Sequence, residues 1–123
     1  MRSVNNFIQY TATGLYCSVG EFYLDPRKPV HKALISHAHG DHAVPNSGVI
    51  FTTPATRSLM NRRFQKSLRS QFVDVQFNES FEINGVVITF LPAGHMLGSA
   101  QILMEFAQEK YLYTGDFKLQ SDE

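Results

Sequence analysis

Cysteine is almost absent from this chain, and the two signs of charge cancel. Cys17 is the single cysteine, so no disulfide can form within the chain and a cysteine-based zinc site is excluded. One lone thiol also favours a reducing compartment. Lys plus Arg total 11 and Asp plus Glu total 11, so the overall charge does not indicate a nucleic-acid partner.

Long apolar runs are missing as well. The N-terminal MRSVNNFIQY lacks the apolar segment of a signal peptide, and no window approaches 18 uninterrupted apolar residues. We therefore expect no membrane span and a cytoplasmic protein. Hydrophobic residues still make up 43% of the 123 positions, which is enough for the core of one small domain.

Short β-prone segments dominate the remainder of the chain. They are rich in β-branched and aromatic residues and are bounded by turn-forming residues, as strands usually are. The predicted strands are Phe7–Thr11, Phe22–Leu24, Ala33–Ile35, Val49–Thr52, Phe72–Phe77, Phe81–Ile83, Val86–Leu91, Ile102–Phe106 and Tyr111–Thr114.

One helix and two hairpin turns complete the predicted elements. Thr53-Pro54 suits an N-cap followed by the first helical residue, and the helix is predicted to extend to Gln65 with Leu59, Met60 and Phe64 inward. Asn84-Gly85 predicts a tight hairpin turn, and a second hairpin is predicted to turn around 108–110. In the segment after the helix, Val73 and Val75 are predicted to share a buried face. Many strands with a covering helix predict a layered α/β fold.

The densest chemical signal is His37-Ala38-His39-Gly40-Asp41-His42. Residues two apart on an extended segment point to the same side, so His37 and His39 could bind one metal ion. Asp41 and His42, after a flexible Gly40, could face a second ion. Imidazole and carboxylate together suit Zn²⁺, with Mn²⁺ or Fe as alternatives. The competing interpretation is a solvated loop, but three histidines and an aspartate in six residues are too dense for an accident.

Two later residues repeat the same arrangement. His95 follows an apolar strand and Gly94, and Asp116 follows an apolar strand and Gly115. Alone, each is more often an ordinary core or surface residue than a ligand. Beside the histidine cluster, which also leaves a predicted strand, both become candidate metal ligands on loops at strand ends.

These segments resemble the motifs of the metallo-β-lactamase fold superfamily. HAHGDH is similar to its HxHxDH signature, AGH at 93–95 and TGD at 114–116 to its third and fourth motifs, and Leu24-Asp25 to its first. The resemblance implies one metal ion on His37, His39 and His95, and a second on Asp41 and His42. It also implies that Asp116 bridges both ions and that Asp25 orients ligands without binding metal.

A narrower resemblance concerns PAGHMLGSAQILME and YLYTGDF, which are similar to the β-CASP nucleases. The stretch from Gly14 to Ala43 is most similar to the bacterial exonucleases associated with DNA ligase, and the group also includes RNA 3′-end processing enzymes. The resemblance implies that residues 1–123 form the N-terminal part of a metallo-β-lactamase-like domain. The C-terminal half, its last metal-binding histidine and the β-CASP insertion are absent from the sequence, which we therefore interpret as a fragment.

The activity that the resemblance implies is hydrolysis of phosphodiester bonds in DNA or RNA. Two Zn²⁺ ions would activate a water molecule as hydroxide, with Asp41, His42 and Asp116 as the catalytic residues. Five basic residues lie in a stretch without an acidic residue and could bind the phosphate backbone, although a solvated helix face explains them equally well. They are Arg57, Arg62, Arg63, Lys66 and Arg69.

Two other hypotheses remain open at this point. The same fold could cleave a thioester or lactam in a small molecule, since fold alone does not define the reaction. Alternatively, the chain could be a catalytically silent fragment that folds or pairs only with a partner chain. An open sheet edge would then favour self-association. The resemblance adds DNA ligase as a candidate partner.

Overall fold

The computed structural model describes residues 7–38, 43–65, 68–94 and 99–115, and the backbone of 119–122. Within these ranges the chain forms strands in two sheets and one helix. In chain order the elements are β1 (Ile8–Tyr10), β2 (Leu15–Cys17), β3 (Phe22–Leu24), β4 (Lys32–Leu34), β5 (Val49–Thr52), α1 (Pro54–Phe64), β6 (Gln71–Asp74), β7 (Ser80–Ile83), β8 (Val86–Pro92), β9 (Ala100–Phe106), β10 (Glu109–Tyr113) and β11 (Leu119–Asp122).

The first sheet has the order β1-β2-β3-β4-β5-β6. Strands β1 to β3 pair antiparallel, whereas β3 to β6 pair parallel. Parallel neighbours need a crossover connection, and helix α1 supplies the one between β5 and β6. The carboxyl ends of β3, β4 and β5 therefore meet at one edge of this sheet.

The second sheet has the order β11-β10-β9-β8-β7 and is antiparallel throughout. The predicted turn at Asn84-Gly85 joins β7 to β8, with positive φ at both residues (49° and 87°). A second turn with positive φ at Ala107 and Gln108 joins β9 to β10. Positive φ at both central residues matches the right-handed twist of the flanking strands, which favours tight hairpins.

The main core fills the space between the two sheets. Alternating residues of β2, β3, β8, β9 and β10 point into it, as the pleat of a strand requires. Burying such aromatic and aliphatic side chains is the main force that holds the two layers together. Its fully buried members include Cys17, Phe22, Leu24, Leu34, Ile88, Phe90, Ile102, Met104 and Tyr113.

Helix α1 covers the opposite face of the first sheet. Met60 is buried against Ala33, Ile35 and Ile50, and Phe64 packs at the margin of this second cluster. The helix begins as predicted, because the Thr53 side chain accepts a hydrogen bond from the backbone N–H of Thr56 and Pro54 occupies the first turn. Leu59 remains only half-buried.

The layered α/β class is confirmed, and most strands lie where the pattern predicted them. The prediction is wrong for one segment, the strand predicted over Phe72–Phe77. Strand β6 ends at Asp74, and Val73 is 42% exposed whereas Val75 is 4% exposed. The two valines therefore do not share a buried face. β6 is the edge strand of its sheet, and the chain turns into the main core after Asp74.

Three smaller details also differ from the sequence-based prediction. β2 and β11 were not predicted, and both are short strands that pair antiparallel with strands adjacent to them in the chain. The β9–β10 turn lies at Ala107 and Gln108, one position earlier than the predicted range, because 109 and 110 already pair in β10. In the described part of the chain, no helix is long and apolar enough to cross a membrane.

Candidate metal centre

The backbone just after strand β4, where the histidine motif begins, is held by hydrogen bonds to strand β5. Beyond its last residue, the N–H of Ile35 donates to the carbonyl of Phe51 at 3.0 Å. The Ile35 carbonyl accepts from the Thr52 hydroxyl at 2.8 Å. Strand β5 therefore holds both the N–H and the carbonyl of Ile35, directly before Ser36 and His37.

Asp25 lies at the end of the neighbouring strand β3 and is 8% exposed. Its backbone N–H donates to the Leu34 carbonyl at 2.9 Å, and its φ of 45° lies in the left-handed region. An aspartate tolerates this conformation better than most residues. The unusual backbone turns the carboxylate towards the segment that follows β4.

Three hydrogen bonds converge on the Asp25 carboxylate. The backbone N–H of Ser36 donates to Oδ1 at 2.8 Å, and the Ser36 hydroxyl donates to Oδ2 at 2.7 Å. The Tyr113 hydroxyl, from strand β10 of the other sheet, donates to Oδ2 at 2.8 Å. Tyr113 and Ser36 are themselves buried. A buried carboxylate needs such donors, because an unpaired charge would be very costly there.

His37 is the next member of this network. Its Nδ1 lies 2.8 Å from the Ser36 hydroxyl oxygen. The chain of contacts therefore runs from Tyr113 through Asp25 and Ser36 to the first histidine of the motif. Asp25 contacts Ser36, and Ser36 contacts the candidate ligand His37. This arrangement suits the orienting role that the resemblance implies for Asp25.

The second sheet reaches the same place at two points. A Cβ on Gly115, just beyond β10, would lie 3.5 Å from the Ser36 hydroxyl oxygen and 3.8 Å from Cε1 of His37. The N–H of Ala100, at the start of β9, donates to the Ser36 carbonyl at 2.8 Å. Both distances are ordinary van der Waals contacts, so it is the φ of 90° that favours glycine at position 115.

Five of the six predicted ligands lie outside the described residues. Among the residues that are described, no group of three His, Cys, Asp or Glu side chains could hold a metal ion. Chain neighbours of three of these ligands are nevertheless described. Ala38 directly precedes His39, and Gly115, which lies beside His37, directly precedes Asp116. Two residues before His95, the N–H of Ala93 donates to the Ser99 carbonyl. The five are His39, Asp41, His42, His95 and Asp116.

The residues present fit a metal ion in their chemistry. Imidazole and carboxylate groups form a donor set typical of Zn²⁺, Mn²⁺ or Fe sites. With Nδ1 of His37 in contact with Ser36, a metal ion on this residue would be coordinated through the other ring nitrogen, Nε2. Metal-binding histidines usually have their second nitrogen hydrogen-bonded in this manner.

The basic residues that were predicted to bind phosphate do not all have the same surroundings. Arg57 pairs with Asp74 at 3.1 Å, and its guanidinium lies 5.1 Å from the centre of the Phe72 ring. Arg63 donates to the carbonyl of Ala38 at 3.3 Å, within the histidine motif. The side chains of Arg62 and Arg69 are exposed; Lys66 lies outside the described residues.

Two residues of the network were missed by sequence reasoning, namely Ser36 and Tyr113. Ser36 directly precedes the histidine motif, so its position was a signal that could have been used. Tyr113 lies in an apolar strand pattern, where a tyrosine normally indicates core packing. Its hydroxyl contact with Asp25 arises only from the packing of the two sheets.

Comparison with curated proteins shows several relatives, although no family model matches the sequence. A probable DNA ligase from Opitutus terrae is 35% identical over 108 residues, covering 86% of this chain and 10% of that protein. Cleavage and polyadenylation specificity factor subunit 3 from Dictyostelium discoideum is 32% identical over 119 residues, covering 72% and 15%. Endoribonuclease ysh-1 from Neurospora crassa is 31% identical over 121 residues, covering 72% and 14%. The chain thus spans only a small part of these relatives.

Solved structures share the fold at low sequence identity. A protein of unknown function from Enterococcus faecalis superposes with a TM-score of 0.56 at 21% identity, covering 71% of this chain and 25% of that one. CmlA, a diiron β-hydroxylase from Streptomyces venezuelae, gives a TM-score of 0.51 at 19% identity, covering 74% and 21%. The curated relatives, together with the four sequence motifs, show that the chain belongs to the β-CASP group of the metallo-β-lactamase fold superfamily.

Proposed function

We propose that the protein is a metal-dependent nuclease that hydrolyses phosphodiester bonds in DNA or RNA. The observation that carries this proposal is the position of His37, the first residue of HAHGDH. It is held by the Ser36–Asp25–Tyr113 network at the point where the ends of β3, β4 and β10 meet. The superfamily is metal-dependent, and relatives include a named endoribonuclease.

The chain would hold two Zn²⁺ ions through the six residues His37, His39, Asp41, His42, His95 and Asp116. Such ions supply Lewis acidity, which activates water and neutralises charge on a phosphoryl group. The chain's own contribution is positional. The buried carboxylate of Asp25 keeps Ser36 and, through it, the His37 ring in place. Arg63 holds the motif's backbone from helix α1, through the Ala38 carbonyl.

The substrate would approach the site beside helix α1. The exposed guanidinium groups of Arg62 and Arg69 are available for phosphate contacts. Arg57 is already engaged by Asp74 and Phe72, so we assign it a structural role in this proposal. The relative named as a probable DNA ligase supports DNA as a substrate and a ligase as a partner. The named endoribonuclease supports RNA, and the experiment below compares both.

The test is a joint measurement of metal content and cleavage on the purified protein and on Asp41→Ala/His42→Ala. We expect the wild type to retain zinc after gel filtration and to cleave end-labelled single-stranded DNA or RNA. The double variant should keep its circular dichroism spectrum, lose metal and show no cleavage.

The matched control is His31→Ala, which removes an exposed histidine directly before β4. Because His31 lies at the opposite end of that strand from the motif, this variant should keep both metal and activity. Fewer than about one ion per wild-type chain, or wild-type turnover by the double variant, would contradict the proposal.

A further inference from the structure

The hydrogen-bond network around Asp25 favours one position for the proton on the imidazole ring of His37, as the donors and acceptors show. An ionised carboxylate can only accept hydrogen bonds. The Ser36 hydroxyl has a single proton, and its oxygen lies 2.7 Å from Oδ2 of Asp25. At that distance the proton must point to the carboxylate, because two acceptors facing each other would repel.

The orientation of the Ser36 hydroxyl then decides the form of the imidazole. The Ser36 oxygen also lies 2.8 Å from Nδ1 of His37, and its own proton is already used. The remaining way to make this contact favourable is for Nδ1 to carry the proton and donate it. A neutral imidazole protonated on Nδ1 has its lone pair on Nε2.

Tyr113 strengthens the same preference from the second sheet. Its hydroxyl donates to Oδ2 of Asp25 at 2.8 Å, so Oδ2 accepts both side-chain hydroxyls while Oδ1 accepts the backbone N–H of Ser36. With both oxygens engaged, the carboxylate cannot rotate without breaking a hydrogen bond. Tyr113 is 1% exposed, so water cannot readily replace its hydroxyl.

We propose that Ser36 and Tyr113 are positioning residues that set the tautomer of His37 before any metal binds. Resting on the proposed metal site, this inference explains how one ligand is prepared for coordination through Nε2. In the opposite tautomer the proton would occupy the coordinating nitrogen, and binding would first require a proton shift. Orienting partners of this type typically change metal affinity by about 10- to 100-fold.

The experiment reads the tautomer directly in metal-free protein, from the ¹⁵N chemical shifts of the His37 ring under conditions where imidazole is neutral. We expect the Nδ1-protonated form in the wild type. Ser36→Ala should move the ring towards a mixture of tautomers and weaken zinc binding by about 10-fold or more. Zinc affinity is measured by competition with a chromophoric chelator.

Tyr113→Phe tests the second part of the proposal, and it keeps the test valid if Ser36→Ala does not fold. We expect a partial shift of the tautomer and a severalfold loss of zinc affinity. Tyr111→Phe is the matched control, because Tyr111 lies two residues away on β10 and packs in the core without contacting Asp25. Ser36→Thr retains a hydroxyl, so this variant should show the same His37 tautomer as the wild type.

Wild-type His37 protonated on Nε2, or an unchanged tautomer and zinc affinity in both Ser36→Ala and Tyr113→Phe, would overturn this inference. The tautomer is read without metal or substrate. A protein that shows the expected tautomer but cleaves no nucleic acid would therefore contradict the proposed nuclease activity alone.

Discussion

The Tyr113 hydroxyl and the Asp25 carboxylate lie 2.8 Å apart, although 88 positions separate the two residues in the chain. The contact crosses from one sheet to the other close to His37, the described member of the candidate metal centre. Asp25 also accepts two hydrogen bonds from Ser36, which holds His37. The packing of the two sheets is thus coupled directly to the geometry of the candidate ligand.

This coupling predicts that Asp25→Ala is strongly destabilising. The substitution removes the acceptor of three buried donors, the Ser36 N–H and the hydroxyls of Ser36 and Tyr113. A buried hydrogen bond lost in this way costs about 1–3 kcal/mol, so we expect the free energy of unfolding to fall by at least about 3 kcal/mol. Urea unfolding followed by circular dichroism measures the loss.

Asp74→Ala serves as the control for that measurement. Asp74 is an aspartate that pairs with Arg57, but both of these side chains are more than 40% exposed. Exposed ion pairs contribute about 0–1 kcal/mol, so the stability should barely change. Equal losses in the two variants would show that burial of the Asp25 network contributes little.

Gly115→Ala should damage the metal centre more than the fold. At φ of 90° an added Cβ strains the backbone by about 1–2 kcal/mol, and the chain can relieve that strain only by moving. Such a movement displaces the residue after it, the candidate ligand Asp116, and shifts the backbone that lies in contact with His37. We expect zinc affinity, measured by chelator competition, to fall by about 10-fold.

Gly85→Ala is the matched substitution, since Gly85 has a similar φ of 87° and its Cβ would meet only the Phe106 ring, at 3.8 Å. It lies in the β7–β8 turn, so it should cost comparable stability without affecting zinc. An identical loss of zinc affinity in both variants would mean that general destabilisation, and not the position of Gly115, weakens the site.

The arginines of helix α1 should differ in their effect on nucleic-acid binding. Arg62 is exposed, whereas Arg57 is held by Asp74 and Phe72. Arg62→Ala should lower affinity and reduce the slope of log affinity against log salt by about one unit, as loss of a phosphate contact does. Arg57→Ala should leave affinity within about twofold. Fluorescence anisotropy at several salt concentrations tests this, and the reverse order would contradict the assignment.

The buried thiol of Cys17 predicts a loss of stability at high pH. Burial raises the pKa of Cys17 from 9.0 to about 11. Below pH 9 the thiol is protonated in both the folded and the unfolded protein, so the stability is fully present. As the pH rises from 9 to 11, the unfolded thiol ionises first, and the free energy of unfolding falls by about 3 kcal/mol.

Cys17→Ala isolates this effect from the lysines and tyrosines that titrate in the same range. The variant is less stable overall because it leaves a small cavity, but its stability should depend less on pH between 9 and 11. The difference between the two pH profiles is the quantity to compare. Parallel profiles would show that the thiol ionises in the folded protein at its ordinary pKa.

Local patterns were sufficient to predict most individual elements. Thr53-Pro54 specified the start of the helix, because an N-cap and a first-turn proline act within a few residues. Asn84-Gly85 specified a hairpin turn in the same manner. HAHGDH indicated metal chemistry by residue type alone, and its neighbouring strand β4 lies where the apolar run predicted it.

Long-range relationships could not be predicted in this way. Val73 has the alternation of a half-buried strand, yet it is exposed because β6 became an edge strand. Tyr113 has the sequence pattern of an ordinary core residue, and only the packing of the two sheets brings its hydroxyl to Asp25. Such contacts depend on which strands become neighbours, and no short segment of sequence contains that information.

The sequence by itself determined which side chains are present for the candidate site, and their types predict metal binding. It also determined the local strands and turns that carry them. Only the tertiary structure decided which buried groups support His37, because a hydrogen bond requires donor and acceptor within about 3 Å. That proximity arises here from the packing of two sheets whose contributing residues are far apart in the chain.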